Sequence, residues 1–202
     1  MLFASNYSHP RGLIGRYMLM RMDREHEPLA VWGFEKIGIP QRAKMLDIGC
    51  GGGYNIRRML ERSPESRIYG LDISKQSVKL ARAVNRKELG RHVKIVHGSV
   101  EKTPFKKEIL DLVTAFETVI FWPDPEENFK EVRRILKPGG RFAVVINYGE
   151  PDANWEKVVP GMTRYTAQEI ASFMKGAGFK EIEIFKEKTW FCVIGVKTQA
   201  VR

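Results

Sequence analysis

Residues 45–53 read Met45-Leu46-Asp47-Ile48-Gly49-Cys50-Gly51-Gly52-Gly53, and Asp72 follows nineteen positions after the last glycine. A short apolar run enters a turn with four glycines in five residues, and a helical pattern begins just after it. The next apolar run, 67–71, ends on the acid. Glycines let a backbone approach a ligand, helix N–H groups face it, and a strand-end carboxylate accepts both hydroxyls of a ribose. The chemistry indicated is the binding of a nucleotide-type ligand. The other reading of the glycines alone is a tight strand-to-helix turn with no ligand, and the downstream acid weighs against it.

The elements that must position these residues alternate from 44 to about 185. Strands are expected at 44–48, 67–71, 93–97, 110–116 and 141–147. Helices are expected at 55–62, at 74–89 with Ser74 as N-cap and Gly90 as the stop, at 125–136, and from Thr166 to about 176–178. Two last strands, 179–186 and 190–197, are separated by only three residues. So short a turn forces them antiparallel, because a parallel pair needs a crossover of about a dozen residues. The expected fold class is α/β: a Rossmann-like, doubly wound, seven-stranded and mainly parallel sheet with an antiparallel C-terminal hairpin. Residues 1–43 fall outside the repeat and carry two amphipathic helix patterns, 13–22 and 28–37, with His26 between them. We expect 1–43 to form a helical cap over the site and 44–202 the core.

The spacing separates two nucleotides. A dinucleotide fingerprint is G-x-G-x-x-G, and here the sixth position is Tyr54. Asp47-x-Gly49-x-Gly51-x-Gly53 instead resembles the first motif of class I S-adenosylmethionine-dependent methyltransferases. The resemblance extends over 44–197. Gly70-Leu71-Asp72-Ile73-Ser74 matches that family's ribose-binding acid and the apolar residue beside adenine. His97 to Phe105 resembles its G-D-A-E-x-L-P-F segment, and Glu131 to Gly140 resembles its helix ending in R-x-L-K-P-G-G. The match is most similar to the small, single-domain group that includes quinone-biosynthesis C-methyltransferases. One departure is Ser99, where the family has an Asp that accepts from the adenine amino group. A serine hydroxyl accepts too, but more weakly than a carboxylate.

The resemblance implies S-adenosylmethionine as cofactor, S-adenosylhomocysteine as product, and a small-molecule methyl acceptor. It implies a cofactor site of Asp47, Gly49, Cys50, Gly51, Asp72, Ile73, Ser99, Val100 and Phe116, with Asp47 near the methionine amino group. Cys50 reads as a packed side chain rather than a nucleophile. Glu117, at the end of the fourth strand, is placed to orient an acceptor or take its proton, and a solvent-facing or capping role is the alternative. His26 is the second candidate for acid–base work, against a purely structural role. Phe121 and Trp122 offer aromatic faces for a sulfonium or a flat acceptor, or pack on the sheet rim. Tyr17, Trp32, Tyr148, Trp155 and Tyr165, in or next to 1–43 and a second non-core segment at 148–165, form either an acceptor pocket or the core that attaches these segments. Transfer of an activated methyl group needs mainly positioning, worth up to ~7–11 kcal/mol in well-oriented systems. That accounts for a sequence without a triad or a metal-ligand set.

Composition bounds the alternatives. The 202 residues suit one domain, and two cysteines give no disulfide framework. That fits a reducing, cytoplasmic setting. No signal core or membrane span is expected, because Arg11, Arg16 and Arg21 interrupt the N-terminal apolar cluster. The net charge is +10, and the excess lies in the first half, with 14 basic and 6 acidic side chains in 55–108. These fall largely on solvent faces of two expected helices, so they read as a solubilising surface and a nucleic-acid partner is disfavoured. An RNA methyltransferase, or a cofactor-binding module without catalysis, are the alternatives.

Overall fold

In the computed structural model the described residues are 12–149, 159 and 161–199. Seven strands form one sheet in the order β3-β2-β1-β4-β5-β7-β6. They are β1 (Lys44–Ile48), β2 (Arg67–Asp72), β3 (Val93–His97), β4 (Leu110–Phe116), β5 (Leu136–Asn147), β6 (Lys180–Glu187) and β7 (Trp190–Val196). Strands β1 to β5 pair in parallel, while β7 runs antiparallel to both β5 and β6. This is the expected α/β architecture, hairpin included.

Strands β1 and β4 are buried over almost their whole length, as parallel strands covered on both faces must be. Their alternating side chains feed two apolar layers. Phe142, Val144 and Ile146 of β5 face α4 (Pro125–Ile135) and α5 (Ala167–Gly176). Ala143 and Val145 face the other layer, with α1 (Gly12–Ile37), α2 (Tyr54–Arg62) and α3 (Lys75–Val84).

Three boundaries differ from expectation for identifiable reasons. The two N-terminal helix patterns are one helix, α1, which runs through Pro28. Proline removes one backbone donor, but the apolar stripe Leu29, Ala30, Trp32, Phe34 and Ile37 stays buried on the sheet and holds the helix in one piece. Gly33 makes that close packing possible, since a Cβ there would come within 2.9 Å of the Phe116 ring. Helix α3 ends at Val84 rather than near 89. There Asn85 Nδ2 donates to the carbonyls of Ala81 and Gly53 at 2.9 Å each, tying the helix end to the glycine turn. Strand β5 starts at Leu136 rather than 141. Leu136 pairs with Leu110, and the register shifts across the Lys137-Pro138-Gly139-Gly140 stretch before Arg141 pairs with Leu112.

Candidate active site

The carboxyl ends of β3, β2, β1 and β4 lie side by side, the position where open α/β sheets bind ligands. The connections leaving these ends, together with α1, enclose a cavity of about 510 Å³. That lies within the usual range for a small-molecule site.

The turn after β1 forms the floor. Gly49, Gly51 and Gly53 have φ of +70°, +51° and +78°, which L side chains rarely adopt. Gly49 is constrained further, because a Cβ there would sit 2.1 Å from Thr118 Oγ1 on the β4 side. The Gly49 and Cys50 amides donate to the Leu71 carbonyl at 2.7 and 3.1 Å, locking the turn against the end of β2. The Cys50 thiol is pushed well above its ordinary value by burial, with Asp72 and Asp47 adding to the effect. It is a packed, protonated group.

Asp72 closes this wall. Its Oδ2 accepts the Gly51 amide and its Oδ1 the Ser74 amide, both at 2.8 Å. The acid thus also has a structural task, joining the turn after β1 to the start of α3. These two bonds orient the carboxylate toward the turn and the helix start. Ile73, half exposed, and Val100 line the cavity beside it.

Ser99 and Glu101 meet at the end of β3. The Ser99 hydroxyl accepts the Glu101 amide at 3.2 Å and donates to Glu101 Oε2 at 2.8 Å. The carboxylate absent at position 99 is present two residues on, and Glu101 lines the cavity. On the β4 side, Glu117 stands at φ +56° with Phe116, Thr118, Phe121 and Trp122 around it on the cavity wall. Burial raises the Glu117 carboxyl from 4.5 to about 7, against the opposing effect of the bond it accepts from the Asn147 amide. From α1, His26, Leu29 and Ala30 reach the same cavity.

Gly49, Cys50, Gly51, Asp72, Ile73, Ser99, Val100 and Phe116 therefore line one space together with Glu117 and His26. Asp47 does not. Its carboxylate is 2% exposed, behind the wall, and accepts the Thr114 hydroxyl at 2.8 Å from the neighbouring strand. Burial pushes it up to about 7, the Thr114 bond opposes that, and the Asp72 charge adds to it. His26 lies within α1 rather than between two helices.

The aromatic pocket is not assembled as one reading had it. Trp32 packs on Trp190 at 6.0 Å, Tyr165 on Phe173 at 5.3 Å, and Tyr148 lies under the Arg164 guanidinium at 4.1 Å. These three are absent from the cavity wall. The Tyr17 side chain and Trp155 lie outside the described residues. Lining residues that sequence reasoning missed are Tyr54, Asn55, Arg58, Ser77, Glu101 and Thr118. Tyr54, Asn55 and Arg58 share one face of α2, a helical spacing that offered the only signal for them.

Comparison with known proteins decides the family. A methyltransferase-domain family model matches residues 46–144. The uncharacterized methyltransferase YdaC of Bacillus subtilis is 32% identical over 163 residues, which cover 81% of this chain and 86% of YdaC. This chain belongs to the class I S-adenosylmethionine-dependent methyltransferases. The demethylmenaquinone methyltransferase of Listeria welshimeri is 27% identical over 75% of the chain and 64% of its own length. Among solved structures, an S-adenosylmethionine-dependent methyltransferase from Aquifex aeolicus superposes with a TM-score of 0.74 at 18% identity, covering 90% of this chain and 98% of that one. That likeness is one of fold. The chain is thus a methyltransferase of the small type, and no helix among its described residues is long and apolar enough to cross a membrane.

Proposed function

We propose that this methyltransferase binds S-adenosylmethionine in the rim cavity and passes its methyl group to a small-molecule acceptor held at the β4 side of the same space. The observation that carries the reading is convergence. Eight of nine cofactor positions expected from the sequence, with Glu117 and His26, line one cavity of about 510 Å³. The wall suits the group chemically. Gly49, at positive φ, gives a floor position where a Cβ does not fit, and Asp72, Glu101 and Glu117 place carboxylates around a ligand that carries a sulfonium and an ammonium.

In this reading Asp72 accepts the ribose hydroxyls, Ile73 and Val100 lie against adenine, and Ser99 acts with Glu101 at the adenine edge. Gly49, Cys50 and Gly51 bring backbone against the methionine end. Asp47 supports that end from behind the wall. Residues 1–43 serve as a cap, with α1 closing the cavity. Bound there, S-adenosylmethionine supplies an already activated methyl group. The chain's own task is to hold the acceptor in line and exclude water. Phe116, Phe121 and Trp122 present apolar and aromatic surface to it. Glu117, with a carboxyl near neutrality, takes the proton that the acceptor loses. His26 orients the acceptor from the α1 side. The name of the Listeria relative supports a flat, quinone-like acceptor.

The test is methyl transfer from labelled S-adenosylmethionine to a panel of quinols, phenols and amines, with total tRNA alongside. Labelled product from a small molecule, lost in Glu117→Gln, is expected. Labelling of tRNA alone would overturn the acceptor assignment.

A further inference from the structure

The outer side of α3 and the edge strand β3 carry most of the chain's charge excess. Residues 75–97 hold seven Lys and Arg and one acid, Glu88, which is six of the ten net positive charges. Lys75, Lys79, Arg82 and Arg86 recur three or four positions apart, so they form one stripe along α3 and the turn after it. The opposite side of the helix, with Val78, Leu80 and Ala81, is buried. Arg82 Nη2 donates to the Ile95 carbonyl at 2.9 Å, which fastens the stripe to β3 at the end of the sheet. Lys87 and Arg91 of the connecting turn and Lys94 of β3 are exposed as well.

No ion pair among the described residues includes any of these seven cations. A surface that serves solubility alone intersperses both signs, and one sign gathered in one place repels itself. Lysine on an edge strand guards it against pairing, which accounts for Lys94 but not for the stripe on α3. One apolar side chain stands among the charges. Leu89 is 38% exposed in the turn between α3 and β3, flanked in sequence by Arg86, Lys87 and Arg91. Gly90 beside it has φ +79° and no atom within 4 Å of where a Cβ would lie, so this turn stands clear of the rest of the chain. Residues 73–98 contain no Phe, Tyr or Trp, so the face offers no platform on which bases could stack.

We infer that this face docks the protein on an anionic lipid bilayer, with the cation stripe over the headgroup phosphates and Leu89 entering the interface. Clusters of about four to eight Lys and Arg on a helix are what such a surface attracts. Long basic side chains reach the headgroups while their stems lie against apolar matter. Helix α3 itself does not insert, because its apolar side is committed to the core. The attachment is therefore electrostatic and reversible. Neither Leu89 nor any of the seven cations lines the cavity, so the docking is independent of the cofactor reading. Its use rests on the acceptor reading above: a flat, apolar acceptor dissolves in a bilayer, and docking brings the enzyme to it.

The experiment is co-sedimentation of the full chain with phosphatidylcholine vesicles, with and without one-third phosphatidylglycerol. The wild type should bind the anionic vesicles and not the neutral ones, and about 0.5 M salt should release it. Lys79→Gln/Arg86→Gln/Lys87→Gln should lower the partition coefficient roughly 100-fold, about fivefold for each cation near the surface. Lys175→Gln/Lys180→Gln/Lys186→Gln removes the same charge at the opposite sheet edge, from β6 and from α5 packed on it. It should lower the coefficient by less than about threefold, since those cations lie beyond the screening length. Leu89→Ser should lower it roughly 4- to 15-fold, the worth of one or two buried methylene groups. Equal loss in the two triple variants, an unchanged coefficient in the first, or wild-type binding that ignores lipid charge overturns the inference. So does transfer RNA that strips the wild type from the vesicles at equal phosphate concentration and is not bound by the first triple variant, because the face is then a nucleic-acid surface. Calorimetry with S-adenosylhomocysteine should give the wild-type affinity in both triple variants and so report that they fold. Were the first not to fold, a Leu89→Ser coefficient equal to that of the wild type would still overturn the inference. If the wild type binds no S-adenosylhomocysteine, the cofactor reading fails and the vesicle result stands on its own.

Discussion

Asp72 Oδ2 accepts the Gly51 amide at 2.8 Å across 21 positions of sequence, making the end of β2 and the turn after β1 one hydrogen-bonded unit. The acid expected to hold a ribose is also the acid that shapes the glycine floor. Asp72→Ala should therefore do two things at once. Affinity for S-adenosylhomocysteine should fall at least about 100-fold, and stability should drop by about 1–3 kcal/mol as the buried Ser74 amide and the partly buried Gly51 amide lose their acceptor. Titration calorimetry and urea unfolding read the two effects separately. Affinity unchanged in Asp72→Ala would remove Asp72 from the site.

Glu117 holds its proton up to about pH 7 because burial disfavours the carboxylate. Below that pH it is protonated and cannot accept a proton; above it the base form dominates. The methyl-transfer rate should rise with pH through about 7, and Glu117→Gln should lose 10²- to 10⁴-fold and flatten the rise. A pH profile of the same shape in Glu117→Gln would leave Glu117 a structural residue.

Asp47 bears on stability. Its folded carboxyl sits near 7 against 3.8 in the free side chain. Between those values the folded chain holds a proton that the unfolded chain releases. The stabilisation is complete below about pH 4 and is lost as pH rises through about 7. Asp47→Asn keeps an acceptor for Thr114 without the charge. It should be more stable than wild type at pH 8, on the order of 1–3 kcal/mol, with the difference vanishing near pH 4. Urea denaturation at both pH values checks it, and a constant difference would refute the buried-charge account.

Ser99 spends its hydroxyl hydrogen on Glu101. With one lone pair taken by the Glu101 amide as well, Ser99 meets a ligand as a weak neutral acceptor, while Glu101 carries the charge. Ser99→Ala should weaken S-adenosylhomocysteine binding by less than about fivefold, and Glu101→Ala by more, roughly 10-fold. Calorimetry on the pair decides, and the reverse ranking would return the adenine edge to Ser99.

The fold was legible because its signals are local and repeated. Apolar runs ending in turn residues marked every strand, and the short turn between β6 and β7, only Lys188 and Thr189, left antiparallel pairing as the one solution. What the sequence concealed was set by packing at a distance. Pro28 looked like a helix start because its missing donor is visible in sequence, whereas the buried stripe from Leu29 to Ile37 that keeps α1 continuous shows its effect only against the sheet. The same split holds in the cavity. Gly49, Gly51 and Asp72 sit in a motif, but Arg58 and Ser77 arrive from helix faces that no motif records. Asp47 belongs to the motif and yet is turned toward Thr114, because β1 and β4 are neighbours in the sheet, a pairing between residues 67 positions apart.

The most direct test of the central claim is a thermal-shift titration of the wild-type protein with S-adenosylmethionine, S-adenosylhomocysteine and reduced nicotinamide dinucleotides. Ligand at 100 times its dissociation constant adds ~2.7 kcal/mol, which for a chain of this length raises Tm by roughly 5–10 °C. The account predicts that rise with the two adenosyl-sulfur compounds and none with the nicotinamides. A rise with the nicotinamides alone, or with no ligand, would contradict it.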